Sequence, residues 1–146
     1  PAVIGTDGTF MEASDFNVSY KNNVNAGENT AIAVVTATED GNYTGTVEKN
    51  FSINPAIITI AAKSGNSAYN MAIPELEWIL TAGTIAEGDE ADLDIKAETS
   101  VKKGYAVGTY EDAITIKYRE NSNYVITQEA ADYTVTSANL TVTRAN

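Results

Sequence analysis

Asn25-Ala26-Gly27, Gly41-Asn42-Tyr43 and Phe51-Ser52-Ile53-Asn54-Pro55-Ala56 return later in the chain. They reappear as Ala106-Val107-Gly108, Ser122-Asn123-Tyr124 and Leu140-Thr141-Val142-Thr143-Arg144-Ala145. The glycines (108 − 27) and the tyrosines (124 − 43) are both 81 residues apart. The closing stretches are 142 − 53 = 89 apart, so the second copy carries eight extra residues (89 − 81) after its Asn-Tyr turn. A glycine turn, an Asn-Tyr turn and a closing alternating strand, in one order at one spacing, describe a small β unit used twice. Arrays of such units extend, space or present something more often than they catalyse.

Around these landmarks the apolar residues alternate with period two, the pattern of half-buried strands. In the first copy Phe16, Val18 and Tyr20 form one strand, Ile32 and Val34 a second, and Val47, Phe51 and Ile53 a third. Pro55 cannot donate to a ladder and marks the boundary between a first unit, 1–55, and a second, 56–146. In the second, Ile58 and Ile60 open the first strand. Leu76, Trp78 and Leu80 follow, then Leu93, Ile95 and Ala97, then Ile114, Ile116 and Tyr118. Tyr124 and Ile126, Tyr133 and Val135, and Leu140 and Val142 complete about seven strands, with turn signals spaced for antiparallel β. One helical turn is expected near Pro74, between Ser67 and Leu80.

These residues resemble the mostly-bacterial immunoglobulin-like repeats called MBG domains. Asp15 to Gly27 followed by Gly41-Asn42-Tyr43-Thr44-Gly45 is similar to the second half of one repeat. Ile57 to Thr143 is similar to a complete repeat of the type named for a tyrosine-glycine turn. Its marks are Ala68-Tyr69-Asn70 before Pro74-Glu75-Leu76, then Val107-Gly108-Thr109-Tyr110, Asn123-Tyr124 and Leu140-Thr141-Val142-Thr143. Asn70 stands where the family has glycine, and asparagine is the next-best residue for a left-handed turn. Gly108 lies 108 − 56 = 52 residues past Ala56, whereas Gly27 is only the 27th residue of the chain, a shortfall of 52 − 27 = 25. The first copy therefore reads as partial, lacking a leading strand or two. The resemblance implies an immunoglobulin-like sandwich in a surface protein and supplies no catalytic residues.

Composition narrows the chemistry. The 146 residues include no Cys and no His, which removes thiol nucleophiles, disulfides, zinc knuckles and the usual general base. The net charge of −11 is spread along the chain: 1–56 carries seven acids and two bases, 57–146 thirteen acids and seven bases. Such a surface disfavours nucleic acid and anionic lipid as partners. No run approaches the length of a membrane-spanning helix, so no membrane insertion is expected of this stretch. The opening at Pro1, without an initiator Met, reads as a piece of a longer protein whose export signal and anchor lie elsewhere.

Four features invite a site. The acid-rich Glu87-Gly88-Asp89-Glu90-Ala91-Asp92-Leu93-Asp94 offers oxygens for Ca²⁺ but lacks the calcium-loop order, and a solvated loop accounts for it. Trp78 is either a sugar-stacking platform or, between Leu76 and Leu80, core; core is the reading taken, as it is for Tyr43 and Tyr124 over their hairpins. Lys49 and Lys117 lie on strands where a Lys–Asn isopeptide crosslink needs a buried lysine. Asn17, Asn42, Asn50 and Asn139 begin Asn-x-Ser/Thr triplets, expected by chance in a chain this rich in Asn and Thr.

The expectations are these. The fold class is all-β: tandem antiparallel immunoglobulin-like β-sandwich modules, 1–55 a partial repeat and 56–146 a complete one. In the second, Ile58, Ile60, Leu76, Trp78, Leu80, Leu93, Ile95, Ile114, Ile116, Tyr124, Ile126, Val135, Leu140 and Val142 point mostly inward. The short, stiff Asn54-Pro55-Ala56-Ile57 join predicts modules set end to end as a rod. No catalytic, cofactor or metal site is assigned, and the chain is not an enzyme. It reads as a spacer or stalk repeat of an exported bacterial cell-surface protein such as an adhesin, extracellular. Its partners are neighbouring repeats of the same polypeptide, with a host or bacterial surface protein or a glycan as further candidates. The alternative is a carbohydrate- or ligand-binding module of such a protein.

Overall fold

Strands of alternating apolar and polar residues keep one face dry and the other wet, and sheets follow when two dry faces meet. A computed structural model describes residues 2–142 in these terms. The chain divides into two compact units, Pro1–Pro55 and Ala56–Asn146.

In the first unit, β1 (Phe16–Lys21), β2 (Gly27–Ala37) and β3 (Thr46–Ile53) form one antiparallel sheet in the order β1-β2-β3. Residues directly opposite each other share a face. Val18 lies opposite Val35, and Val35 opposite Val47; Tyr20 lies opposite Ala33, and Ala31 opposite Phe51. One face thus gathers these apolar residues. Ala31 is fully buried on it, and the Tyr20 and Phe51 rings meet edge to face at 6.0 Å. The other face carries the exposed Lys21–Glu48 ion pair at 2.6 Å.

The second unit contains β4 (Ala56–Ala62), β5 (Gly65–Ala68), β6 (Trp78–Ala82), α1 (Asp89–Leu93), β7 (Lys96–Thr99), β8 (Gly108–Lys117), β9 (Tyr124–Glu129) and β10 (Ala131–Thr136). One sheet runs β5-β10-β8-β7 and the other β6-β4-β9. Ile58 and Ile60 of β4 pack with Ile116 of β8 and with Leu93, so side chains of both sheets meet in one core. A second cluster joins Val101, Ala113, Ile114, Tyr133 and Val135, with Leu76 and Ala62 against it. The fold is an all-β sandwich.

Several expectations change. The sheets are mixed: β4 pairs with β9, and β5 with β10, in parallel, while the remaining ladders are antiparallel. Period-two alternation reports which face a residue takes and is silent on strand direction. Leu93 is buried as expected, but it ends the five-residue α1 instead of sharing a strand with Ile95 and Ala97. The left-handed Asp94, φ 46°, breaks the alternation between them. No helix forms at Pro74; Asn70 holds the left-handed turn there, φ 63°.

Leu80 sits on the edge strand β6 and stays 38% exposed. Leu140 and Val142 are the largest departure, exposed at 91% and 87% and outside any strand; Thr143 lies outside the described residues. Their expected place is taken. β10 is flanked by β5 and β8, so that sheet has no slot beside β10 for a further strand.

The two units share a register detail. Ala31 pairs with Phe51 and Gly27 with Ile53, leaving a bulge at the left-handed Asn29, φ 55°. Ile114 pairs with Ala131 and Tyr110 with Tyr133, leaving the same bulge at Asp112, φ 50°. Each bulge N–H finds a side-chain oxygen at 3.0 Å, Asn29 on Ser52 Oγ and Asp112 on Asp132 Oδ1. Tyr20 faces Ala33 as Ala97 faces Ile116. So β1-β2-β3 matches β7-β8-β10, with the central strands 114 − 31 = 83 apart and the third strands 131 − 51 = 80 apart. The match to Phe51–Ile53 is Ala131–Tyr133 and not Leu140–Val142.

Candidate functional site

The acidic stretch and the Asn-Tyr turn, 35 residues apart in sequence, meet in the second unit. Gly88, φ 92°, turns the chain into α1 and presents Asp89. The Tyr124 hydroxyl donates to Asp89 Oδ2 at 2.6 Å and accepts the Ala86 N–H at 3.0 Å. The Asp89 hydrogen bond is the largest cause that raises the Tyr124 pKa above its ordinary value, with burial adding to it. Below, the ring packs on the Ile58–Ile60 cluster. The tyrosine therefore ties a surface loop to the core.

The first unit also sets its Asn-Tyr tyrosine near an acid-bearing turn. Asp7 precedes the left-handed Gly8, φ 82°. Its carboxyl is held below the usual carboxylate range, chiefly by the Thr9 backbone N–H at 3.0 Å and, to a smaller extent, by the Tyr43 hydroxyl. The Tyr43 ring lies against Gly5, which is 86 − 5 = 81 residues before Ala86, as Tyr43 is before Tyr124.

Two of the five acids of residues 87–94 have side-chain partners. Asp89 receives Tyr124, and Asp94 pairs with Lys96 at 2.8 Å, the interaction that lowers the Asp94 pKa. Among the described residues no three acidic side chains are grouped to hold a metal ion. Lys49 and Lys117 are both exposed, whereas an isopeptide crosslink needs a buried lysine.

Trp78 is half-buried and has two environments. It packs against the Ile58–Ile60 cluster, and it lines an open groove of about 620 Å³ with Ile73, Pro74, Leu76, Ile95 and Val101. Glu75, Glu98 and Thr99 give the groove a polar margin. The nearby Lys63–Glu77 pair at 2.8 Å is exposed and contributes little to stability.

Two residues escaped the sequence reading. Asp89 was one acid among several, and its single signal was that acid, glycine and Asn-Tyr recur together in the first copy. Tyr133 reads from the sequence only as a strand residue, but it is fully buried, and its hydroxyl has no hydrogen-bond partner among the described residues.

Comparison with curated proteins and with solved structures finds no match. The family model for the MBG domain (YGX type) matches residues 58–134, which spans β4 to β10 and just over half of the chain. By that match, and by the sandwich those residues form, the chain belongs to the MBG domain (YGX type) family.

Proposed function

We propose that this chain is a non-enzymatic spacer or stalk segment of an exported bacterial cell-surface protein, of which an adhesin is one example. MBG repeats are structural immunoglobulin-like modules typical of bacterial surface or secreted proteins. The observation that carries the reading is the use of the recurring Asn-Tyr motif. In the second unit its tyrosine is spent on fastening an acidic loop to the sheet, and in the first the Tyr43 ring lies against Gly5 near the Asp7 carboxyl, which is architecture. We read residues 1–55 as the later half of a second such repeat, supported by the shared bulge and by the Asn-Tyr turn at the same spacing of 81. Neighbouring repeats of the same polypeptide are then its partners.

The groove at Trp78 favours a second reading, a carbohydrate-binding module, because it sets an aromatic face beside carboxylates and a threonine. A glycan array on the intact chain separates the two. The spacer reading expects no specific glycan signal. A signal lost in Trp78→Ala, with the thermal unfolding transition retained, replaces it with the binding module.

A further inference from the structure

In the second unit the apolar face of the β7-β8-β10 ladder is covered by β4, whose Ile58 and Ile60 are fully buried against Ile116. The ladder equivalent of Ile116 is Ala33, on the apolar face of β1-β2-β3. No strand covers that face among the described residues of the first unit, and β3 is an edge. A groove of about 300 Å³ opens there beside Val35, Tyr43 and Val47, with Val3, Ile4 and Met11 on its other wall. Val47 is 68% exposed on it, and Ile4 56%. Tyr43 is the equivalent of Tyr124, which packs on Ile58 and Ile60.

The second unit thus shows what fills such a groove: Ile58-Thr59-Ile60, run parallel to β9 as the pairs Ile58↔Ile126 and Ile60↔Gln128. The same apolar, threonine, apolar pattern occurs in Ile114-Thr115-Ile116 and Tyr133-Thr134-Val135, both already held in ladders, and in Leu140-Thr141-Val142. Both apolar side chains there face solvent, and the segment lies in no ladder among the described residues.

We propose that the groove at Val35, Tyr43 and Val47 takes the Leu140-Thr141-Val142 segment of a second copy of this chain, added as a parallel strand along the free edge of β3. An extended segment pairing with an open sheet edge gains main-chain hydrogen bonds, and alternate side chains fill the pocket. The surfaces that meet are different ones, so each added copy brings a groove and a segment of its own, and the contact is heterologous. Copies with a net charge of −11 repel one another, so association strengthens with salt. The proposal rests on reading residues 1–55 as the later half of a repeat.

The test is sedimentation velocity of the intact chain across a concentration series up to about 1 mM, the range of a weak contact. It is read together with the amide shifts of Val47, Glu48 and Lys49. Expected is a concentration-dependent rise in mass, greater in about 1 M salt, where screening is nearly complete. Leu140→Asp with Val142→Asp, and separately Val47→Asp, should weaken it roughly a hundredfold, as two buried apolar side chains imply. All three positions are exposed, so these variants keep the thermal transition of the second unit.

A peptide of residues 54–63 should compete and shift the same three amides. A single-copy mass throughout overturns the proposal, as does association that survives both sets of variants. Shifts at Val47 that vanish in the Leu140→Asp, Val142→Asp variant but ignore dilution place the segment within one chain and also overturn it. If the peptide shifts the three amides while the chain stays a single copy, the proposal fails and the half-repeat reading stands. If the peptide leaves them unmoved, both fall.

Discussion

Replacing Tyr124 by Phe removes one oxygen and nothing else from the second unit. The ring keeps its packing on Ile58 and Ile60, so any loss of stability belongs to the two hydrogen bonds of the hydroxyl. A hydrogen bond to a charged acceptor is worth about 1.5–3 kcal/mol, and the 2.6 Å contact to Asp89 is of that kind. Both side chains are half-exposed, so water takes up part of what is lost, and the expected cost falls to about 1–2 kcal/mol. For a unit of this size that lowers Tm by roughly 5–10 °C.

Calorimetry reads the difference directly, and a double-mutant cycle with Asp89→Ala isolates the pair, with an expected coupling of about 1 kcal/mol. Near-additive effects, with coupling under about 0.3 kcal/mol, would refute the claim that this pair ties the loop to the core. The pH dependence has a definite sign. The Tyr124 pKa is raised in the folded protein, so its contribution is fully present below the ordinary tyrosine value of about 10 and is lost as pH rises through the raised one. Wild type and Tyr124→Phe should therefore converge in stability at strongly alkaline pH.

Tyr133→Phe should be neutral or stabilising by about 1 kcal/mol in chemical denaturation, because the fully buried hydroxyl it removes has no partner among the described residues; a loss of more than about 1 kcal/mol would reveal one. Residues 1–55 expressed alone should exchange their amides almost freely, since a single three-stranded layer leaves its apolar face uncovered. Protected, dispersed amides in a monomer would show that this fragment closes its own core.

Strand positions were legible wherever alternation was uninterrupted: the three of the first unit, and Ile58–Ile60, Ile114–Ile116 and Tyr133–Val135 in the second. Legibility failed at particular residues. Asp94 in a left-handed conformation put Leu93 in a helix and Ala97 in a strand while preserving an apolar spacing of two between Leu93 and Ile95. The parallel β4–β9 and β5–β10 ladders join segments about 68 residues apart, and no local pattern encodes such a pairing. For the candidate site, Trp78 was read as core, and it packs against the Ile58–Ile60 cluster while also lining the groove, which spacing between Leu76 and Leu80 does not encode. The Tyr124–Asp89 bond was illegible singly, since any of several acids in residues 87–94 satisfied the sequence equally well.

The two spacings read from the sequence, 81 and 89, have different fates for one reason. The tyrosines follow turns, which are fixed by backbone conformation, so Tyr43 and Tyr124 keep their spacing of 81. Gly27 and Gly108 instead begin strands, and the ladder matches Gly27 to Tyr110, 110 − 27 = 83 residues on. Alternating apolar triplets mark strands, and a strand's place is fixed by its ladder. Phe51-Ser52-Ile53 and Leu140-Thr141-Val142 look alike, but the bulge at Asn29 and Asp112 locks the third strand of each unit to a position two residues beyond it. In the second unit Ala131 and Tyr133 take that position, with Asp132 accepting the bulge N–H as Ser52 does. Leu140 and Val142 are left with strand chemistry and no ladder among the described residues, and that surplus makes them a segment available to another sheet.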